Sequence, residues 1–558
     1  MRILGIVLVL GLFLPILALG QNDLIVEPYS INSKFLEDVI KGDTTAGGQR
    51  VNLARVYVLR RGGLYFVRTT IQNTGYPMRV QAEPGSGASP EIHAFRSLAG
   101  TYPAQIFQVD TLTVLKNLTM VGWDEGGEAF SVYQTRLINV NKLGSDVYVD
   151  SCVLNGSTAT LIQTSVAARY VRVTNSTLVN CGNVRANNLG NGRAIDFRNV
   201  SIDSAYVENC SFVNMQDRVF RHYGAGQVPL KNFTVNHNTF VNELAEHGCI
   251  GLGKVDGKIT IINNLFHDNF MFGNDSTAYV GGSSSRLSEF GDTGEKVANG
   301  QWRMTFVGTS PDSGAQATMY LIRNNFYSVS DSVQVFYDSR NSLPDAGIGN
   351  LVPLTWLINS ELGADSTQAF YKVASPIVFG SRPKEPLALV RWFFTPVADS
   401  GAGKLKQLTG WRNEYDFDRR VTAYFTDTLD LSYQTSSTAY TGADQGQPAG
   451  DLRWWNLTPV SVEGPGGSVL PEAFTLGQNY PNPFNPATTI RFELPQSGNV
   501  LLKVFSLLGQ EVATLVNGRM NAGKHVVPFD ASHLTTGVYF YTLSSGNFVA
   551  TKKMILMK

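Results

Sequence analysis

The sequence predicts an all-β protein: a β-solenoid followed by a small β-sandwich. Three observations carry this reading. A short phrase recurs through the body of the chain, as "VDSCVLNG", "VTNSTLVN", "VENCSFVN", "VNHNTFVN", "IINNLFHDN" and "LIRNNFYSV". Only 16% of the 558 residues are charged, while 54 glycines and 31 phenylalanines favour turns and strands. The last eighty or so residues alternate apolar and polar positions, as in Ile490, Phe492, Leu494 and again Leu502, Val504.

The chain opens with "MRILGIVLVLGLFLPILALGQ", in which a basic Arg2 precedes an apolar run from Ile3 to Leu17 and a small-x-small ending, Ala18-Leu19-Gly20. This predicts a secretory signal over residues 1–20 with cleavage before Gln21, the run being short for a membrane anchor. No transmembrane segment is expected in the mature protein. Lys+Arg and Asp+Glu both number 45, so no global field draws the chain to nucleic acid or to an anionic membrane. A monomer is expected.

"INSKFLEDVIKGD" predicts a short capping helix from about Ser33, with Phe35, Leu36, Val39 and Ile40 as its apolar stripe. "VYVLRRGGLYFV", Val56 to Val67, follows as the expected first rung, with Gly62-Gly63 at a bend.

In the repeats the central apolar residues Leu154, Leu178, Phe212, Phe240, Phe266 and Phe326 are separated by 24, 34, 28, 26 and 60 residues. Such steps suit one coil of a solenoid, the last spanning two coils or one long insertion. Two places earlier stand Cys152, Ser176, Cys210, Asn238, Asn264 and Asn324, which predict a polar ladder at a recurrent bend. Cys152 and Cys210 then lie two rungs, roughly 9.6 Å, apart, too far for a disulfide. Cys181 and Cys249 are expected free as well.

This pattern, over roughly Val51 to Trp455, resembles the right-handed parallel β-helix of the pectate-lyase-like superfamily. "STAYTGADQGQPAGDLRWW", Ser437 to Trp455, resembles the closing phrase of secreted bacterial β-helix proteins, and Trp454 and Trp455 are expected to cover the open core. The resemblance implies polysaccharide as a partner. If Ile195 and Phe197 point inward, Asp196 and Arg198 point to solvent. Arg221 or His222 and then Lys254 follow along the stack. Asp196 and Arg198 would bind a uronate, with Arg221, His222 and Lys254 as the catalytic candidates of a lyase. A charged, solvated face with cross-rung ion pairs is the plainer alternative.

Calcium, the cofactor such lyases often use, has its candidates in "WDEGGE": Asp124, Glu125 and Glu128 in a Gly-rich turn, without the Asp-x-Asp-x-Asp-Gly spacing. Glu243, Glu246 and His247 lie close together but lack a zinc spacing. The Asn-Thr-Asp, Asp-Asp and Gly-His-Gly set of polygalacturonases and the Arg-x-Pro-x-x-Arg phrase of pectate lyases are both missing. A non-catalytic adhesin or structural surface protein therefore stands beside the lyase.

Residues 461–473 form a Gly/Pro/Ser-rich linker, and 474–558 the sandwich. "FTLGQNYPNPFNPATTIRFELP", "VFSLLGQEVATL", "LTTGVYFYTL" and "KKMILMK" resemble the type A C-terminal sorting domain of the type IX secretion system. The implied fold for the chain is thus a right-handed parallel β-helix over 21–460 followed by a small Ig-like β-sandwich. The implied partners are the type IX secretion machinery and, after removal of the domain, surface lipopolysaccharide. The implied destination is the outer-membrane surface or the medium, by way of the periplasm. Asn479, Pro481, Asn482, Pro483, Phe484, Asn485 and Pro486 carry the sorting phrase, a stiff entrance whose prolines guard its edge from pairing with other chains.

Overall fold

The computed structural model describes residues 20–97, 99–122, 136–182, 192–222, 229–244, 248–253, 255–269, 271, 295–296, 302–303, 306–309, 319–341, 353–383, 385–387, 428–459, 474–479, 481–494, 498–507, 509–520, 523–546 and 548–557. The expected signal, the linker and the sites at Asp124, Glu125, Glu128, Glu246, His247 and Lys254 lie outside these residues. Two compact units divide the chain, Met1–Pro459 and Val460–Lys558.

The first unit is the expected right-handed parallel β-helix. Each coil contributes a strand to a first sheet, then to a second, then to a third; among the described residues the sheets hold ten, ten and eight strands. One coil runs Ala168–Thr174, Thr177–Cys181, Arg193–Asp196, and the next Ile202–Glu208, Ser211–Met215, Phe220–Arg221. The first sheet begins earlier than expected, because Asp23–Val26 pairs with Val56–Leu59.

The bend between the first and second sheets explains the recurrent polar residues. At each bend one residue takes positive φ: Ser151, Asn175, Asn209, His237, Asn263 and Asn324, between 50° and 61°. Asparagine tolerates this left-handed conformation better than most residues. The following residue turns inward and accepts a backbone N–H from the coil before. Ser176 Oγ accepts from Cys152 N–H (3.0 Å), Asn238 Oδ1 from Cys210 N–H (3.0 Å), and Asn264 Oδ1 from Asn238 N–H (2.9 Å). Leu154, Leu178, Phe212, Phe240 and Phe266 stack in register behind this ladder. The Phe240 and Phe266 rings lie 4.6 Å apart.

The last coil corrects the expected register. Phe266 pairs with Tyr327, and Leu265 with Phe326, so the ladder continues through Asn325 rather than Asn324. Asn324 occupies the positive-φ bend instead, and Phe326 faces outward. The 60-residue step is therefore one coil with a long insertion, since Leu265–Asn269 pairs directly with Asn325–Ser328. All four cysteines are buried thiols, and burial pushes the Cys152 thiol up to about 12.

Both ends of the core are covered by helices. Leu36 and Ile40 of the helix Leu36–Gly42 join the core at the start, while Phe35 stays outside under the Arg68 guanidinium. At the far end Val333, Phe336 and Tyr337 of Asp331–Asn341 and Ile358 of Trp356–Leu362 enter the same core. These helices do the work expected of Trp454 and Trp455, which pack instead against the outer face of the second sheet with Val179, Val213, Val241 and Leu265. The phrase around them is a strap that runs back over the bends. Asp444 meets Arg323 and Asn324, Gly450 N–H donates to Asn263 O, and Leu452 N–H donates to Asn209 Oδ1. Arg453 then donates to Asn175 O, Ser176 O and Thr177 Oγ1.

In the second unit a three-stranded antiparallel sheet (Thr475–Leu476, Ala487–Leu494, Gly523–Asp530) faces a four-stranded one (Glu511–Met520, Gly498–Ser506, Gly537–Ser545, Phe548–Leu556). Ile490, Phe492 and Leu494 from one and Leu502 and Val504 from the other share its core, as the alternation predicts.

Candidate functional site

The candidate residues lie on the third sheet. Its outward positions follow one register column, Gln108, Asn139, Gln163, Asp196, Arg221 and Gly251. Ile195 and Phe197 point into the core, as their parity requires. Asp196 takes the outer face but is only 1% exposed, contrary to the expectation that it meets solvent. Arginines cover it. Its carboxylate accepts from Arg193 Nη1 (3.1 Å), from the Arg198 backbone N–H (2.9 Å) and from Arg221 Nη1 (3.5 Å). The Arg198 side chain stands 3.9 Å away and is 53% exposed.

Arg193 also bonds Asp217 through Nε at 2.7 Å, linking neighbouring coils. Arg218 follows, buried, with its Nε 3.9 Å from Asp217 Oδ1. Arg136, Arg193, Arg198, Arg218 and Arg221 thus surround two carboxylates, Asp196 and Asp217. Burial first, then the neighbouring Arg193, bring the Arg221 guanidinium down to about 10 despite the attraction of Asp196. Arg136 is likewise lowered by burial and by Arg198. Like charges gathered in a dry place disfavour protonation, and an added anion relieves them.

His222 does not complete this face. It is buried, its Nε2 lies 3.1 Å from Val200 O, and desolvation brings it down to about 4. At neutral pH it is an uncharged imidazole. Among the described residues no three His, Cys, Asp or Glu side chains gather as metal ligands, and no helix is long and apolar enough to cross a membrane. Arg193, Asp217 and Arg218 were not singled out from the sequence, although the register pairing of the "GRAID" strand with "DRVFR" holds the signal.

The proline phrase has a geometry of its own. The Asn479 N–H donates to the Tyr541 hydroxyl (2.8 Å), and its side-chain amide donates to Pro481 O and Thr488 Oγ1. Asn482 Oδ1 accepts the Ile555 N–H, and Phe484 is buried while bonding its backbone to Ile555 and Met557. The phrase therefore clamps both sheets of the sandwich; Pro481, Pro483 and Asn485 remain exposed and Pro486 half-buried. Residues 478–557 match the family described as secretion system C-terminal sorting domain. The chain ends in a type IX sorting domain. It is secreted or held at the cell surface, and the secretion machinery is its partner. No curated protein and no solved structure matches the chain.

Proposed function

We propose that this is a type IX-secreted β-helix that binds an acidic, uronate-containing polysaccharide along its third sheet. The observation that carries the reading is the excess of guanidinium over carboxylate around Asp196, with Arg198 open to solvent and Arg221 beside it. A uronate carboxylate would meet cations already held in place at Arg198 and Arg221. As an adhesin or surface component the protein would need nothing more. A lyase is the second reading, favoured by the lowered Arg221 guanidinium, with Lys254 as a further basic candidate and calcium as the cofactor to test.

Around this core we place the remaining expectations: export by residues 1–20, then recognition of the sorting domain through exposed Pro481, Pro483 and Asn485. Removal of the domain and attachment to lipopolysaccharide would follow. The test incubates the mature protein with pectate, alginate and glycosaminoglycans, with and without calcium, and follows both binding and ultraviolet absorbance of unsaturated ends. Binding that falls in Arg198→Ala and Arg221→Ala without absorbance assigns adhesion. Absorbance that needs Arg221 assigns the lyase, and no binding to any acidic glycan overturns the proposal.

A further inference from the structure

The geometry points to a buried oxyanion site centred on Arg218, separate from the solvent-exposed Arg198. Arg218 sits at the corner where Ser211–Met215 turns towards Phe220–Arg221 and is only 1% exposed. Its Nε, Nη1 and Nη2 make no hydrogen bond among the described residues. The nearest carboxylate oxygen, Asp217 Oδ1, is 3.9 Å from Nε, beyond hydrogen-bond distance, and Asp217 already holds Arg193. A guanidinium carries its charge at neutral pH, so a dry one needs an anion that its planar fork can grip.

Gln216, two residues earlier, is buried with neither end of its amide partnered among the described residues. Space for it is built in. A Cβ at Gly192 would lie 2.5 Å from Gln216 Cβ, and one at Gly182 would lie 2.5 Å from Gln216 Oε1. Both glycines have positive φ, which a side chain rarely adopts. Arg218 supplies two parallel N–H donors for a carboxylate or sulfate, and Gln216, on the same turn, has an amide free to donate as well. Arg193 and Arg221 add positive potential without competing for the bond, being engaged with Asp217 and Asp196.

The test uses the mature full chain and no polysaccharide, so failure of the glycan reading leaves it standing. Thermal midpoints are recorded in a zwitterionic buffer at constant ionic strength while sodium sulfate, or sodium galacturonate, replaces chloride. A saturable rise of about 2–4 °C is expected with the wild type, as binding to the native state alone requires. Arg218→Met should lose that response and melt in chloride no lower than the wild type, since Arg218 makes no hydrogen bond among the described residues and Asp217 keeps Arg193. A response to both anions assigns a small-oxyanion site; a response to galacturonate alone assigns a carboxylate from an acidic sugar. A wild-type midpoint indifferent to both anions overturns the proposal, and so does a saturable response retained by Arg218→Met. If Arg218→Met does not fold, the same titration of Arg198→Ala decides: a response kept there supports the buried site, and a response lost there belongs to the exposed arginine and overturns the proposal.

Discussion

Asn264→Ala tests the inner ladder most directly. The Asn264 Oδ1 accepts both the backbone N–H and the side-chain amide of Asn238, at 2.9 and 3.1 Å. Its Nδ2 donates to Val235 O (3.0 Å) and to Asn325 Oδ1 (2.8 Å). Truncation leaves the Asn238 N–H without its acceptor, in a place where Asn238 and Asn264 are both fully buried and water does not reach. An orphaned buried donor costs about 1–3 kcal/mol, and the lost bonds to Val235 and Asn325 add about 1 kcal/mol more. We expect a loss of about 2–4 kcal/mol, read from the urea midpoint of the mature protein. Amide exchange should accelerate most at Asn238 and Asn264, because a solenoid opens locally as well as globally. Ser176→Ala, which removes one accepted and one donated bond, should cost less. A loss below about 1 kcal/mol for Asn264→Ala would refute the ladder as a stabilising element.

Acid should destabilise the first unit. Burial lowers His222 and His237 to about 4, so the unfolded chain binds protons more readily, and stability present above about 6.5 is lost as pH falls towards 4. The loss is at most about 3 kcal/mol for each histidine, and His237→Asn should flatten the profile of thermal midpoint against pH, asparagine being the residue that neighbouring bends use. Arg453→Ala should cost about 3–5 kcal/mol and open the strap to protease, because it strands the buried Asp451 carboxylate. Phe484→Ala should destabilise the sorting sandwich by about 3–5 kcal/mol in a melt of the full chain. By contrast, Pro481→Ala with Asn485→Ala should leave that melt intact while reducing protein at the cell surface, measured by fractionation.

The fold was legible because its periodicity is local. A phrase that fixes a bend, an inward ladder residue and an inward ring says most of what a coil needs, and register then follows from stacking like on like. The phrase failed where two asparagines stand together, since "NNF" offers two ladder candidates and only neighbouring coils choose Asn325. The far cap was legible in principle: Val333, Phe336 and Tyr337 keep helical spacing. The strap was not, because Arg453 and its partner Asn175 are 278 residues apart and no pattern links them. At the site, strand parity put Asp196 outside correctly. Parity is blind to burial, however, and Arg193 and Arg218 close over positions that alternation alone would leave in water.

The strap also orders events along the chain. Its partners are bends of several different coils, from Asn324 back to Asn175, and no single coil presents them all. Closing a 278-residue loop in an unfolded chain costs entropy that grows only with the logarithm of length, but it gains little until the bends are stacked. Once they are, the same contacts join rigid surfaces. Docking is therefore a late step, conditional on a finished β-helix, and it falls at the point in the sequence where the passenger gives way to the sorting domain. A strap variant such as Arg453→Ala should accordingly speed unfolding more than it slows folding, the kinetic mark of an interaction absent from the transition state.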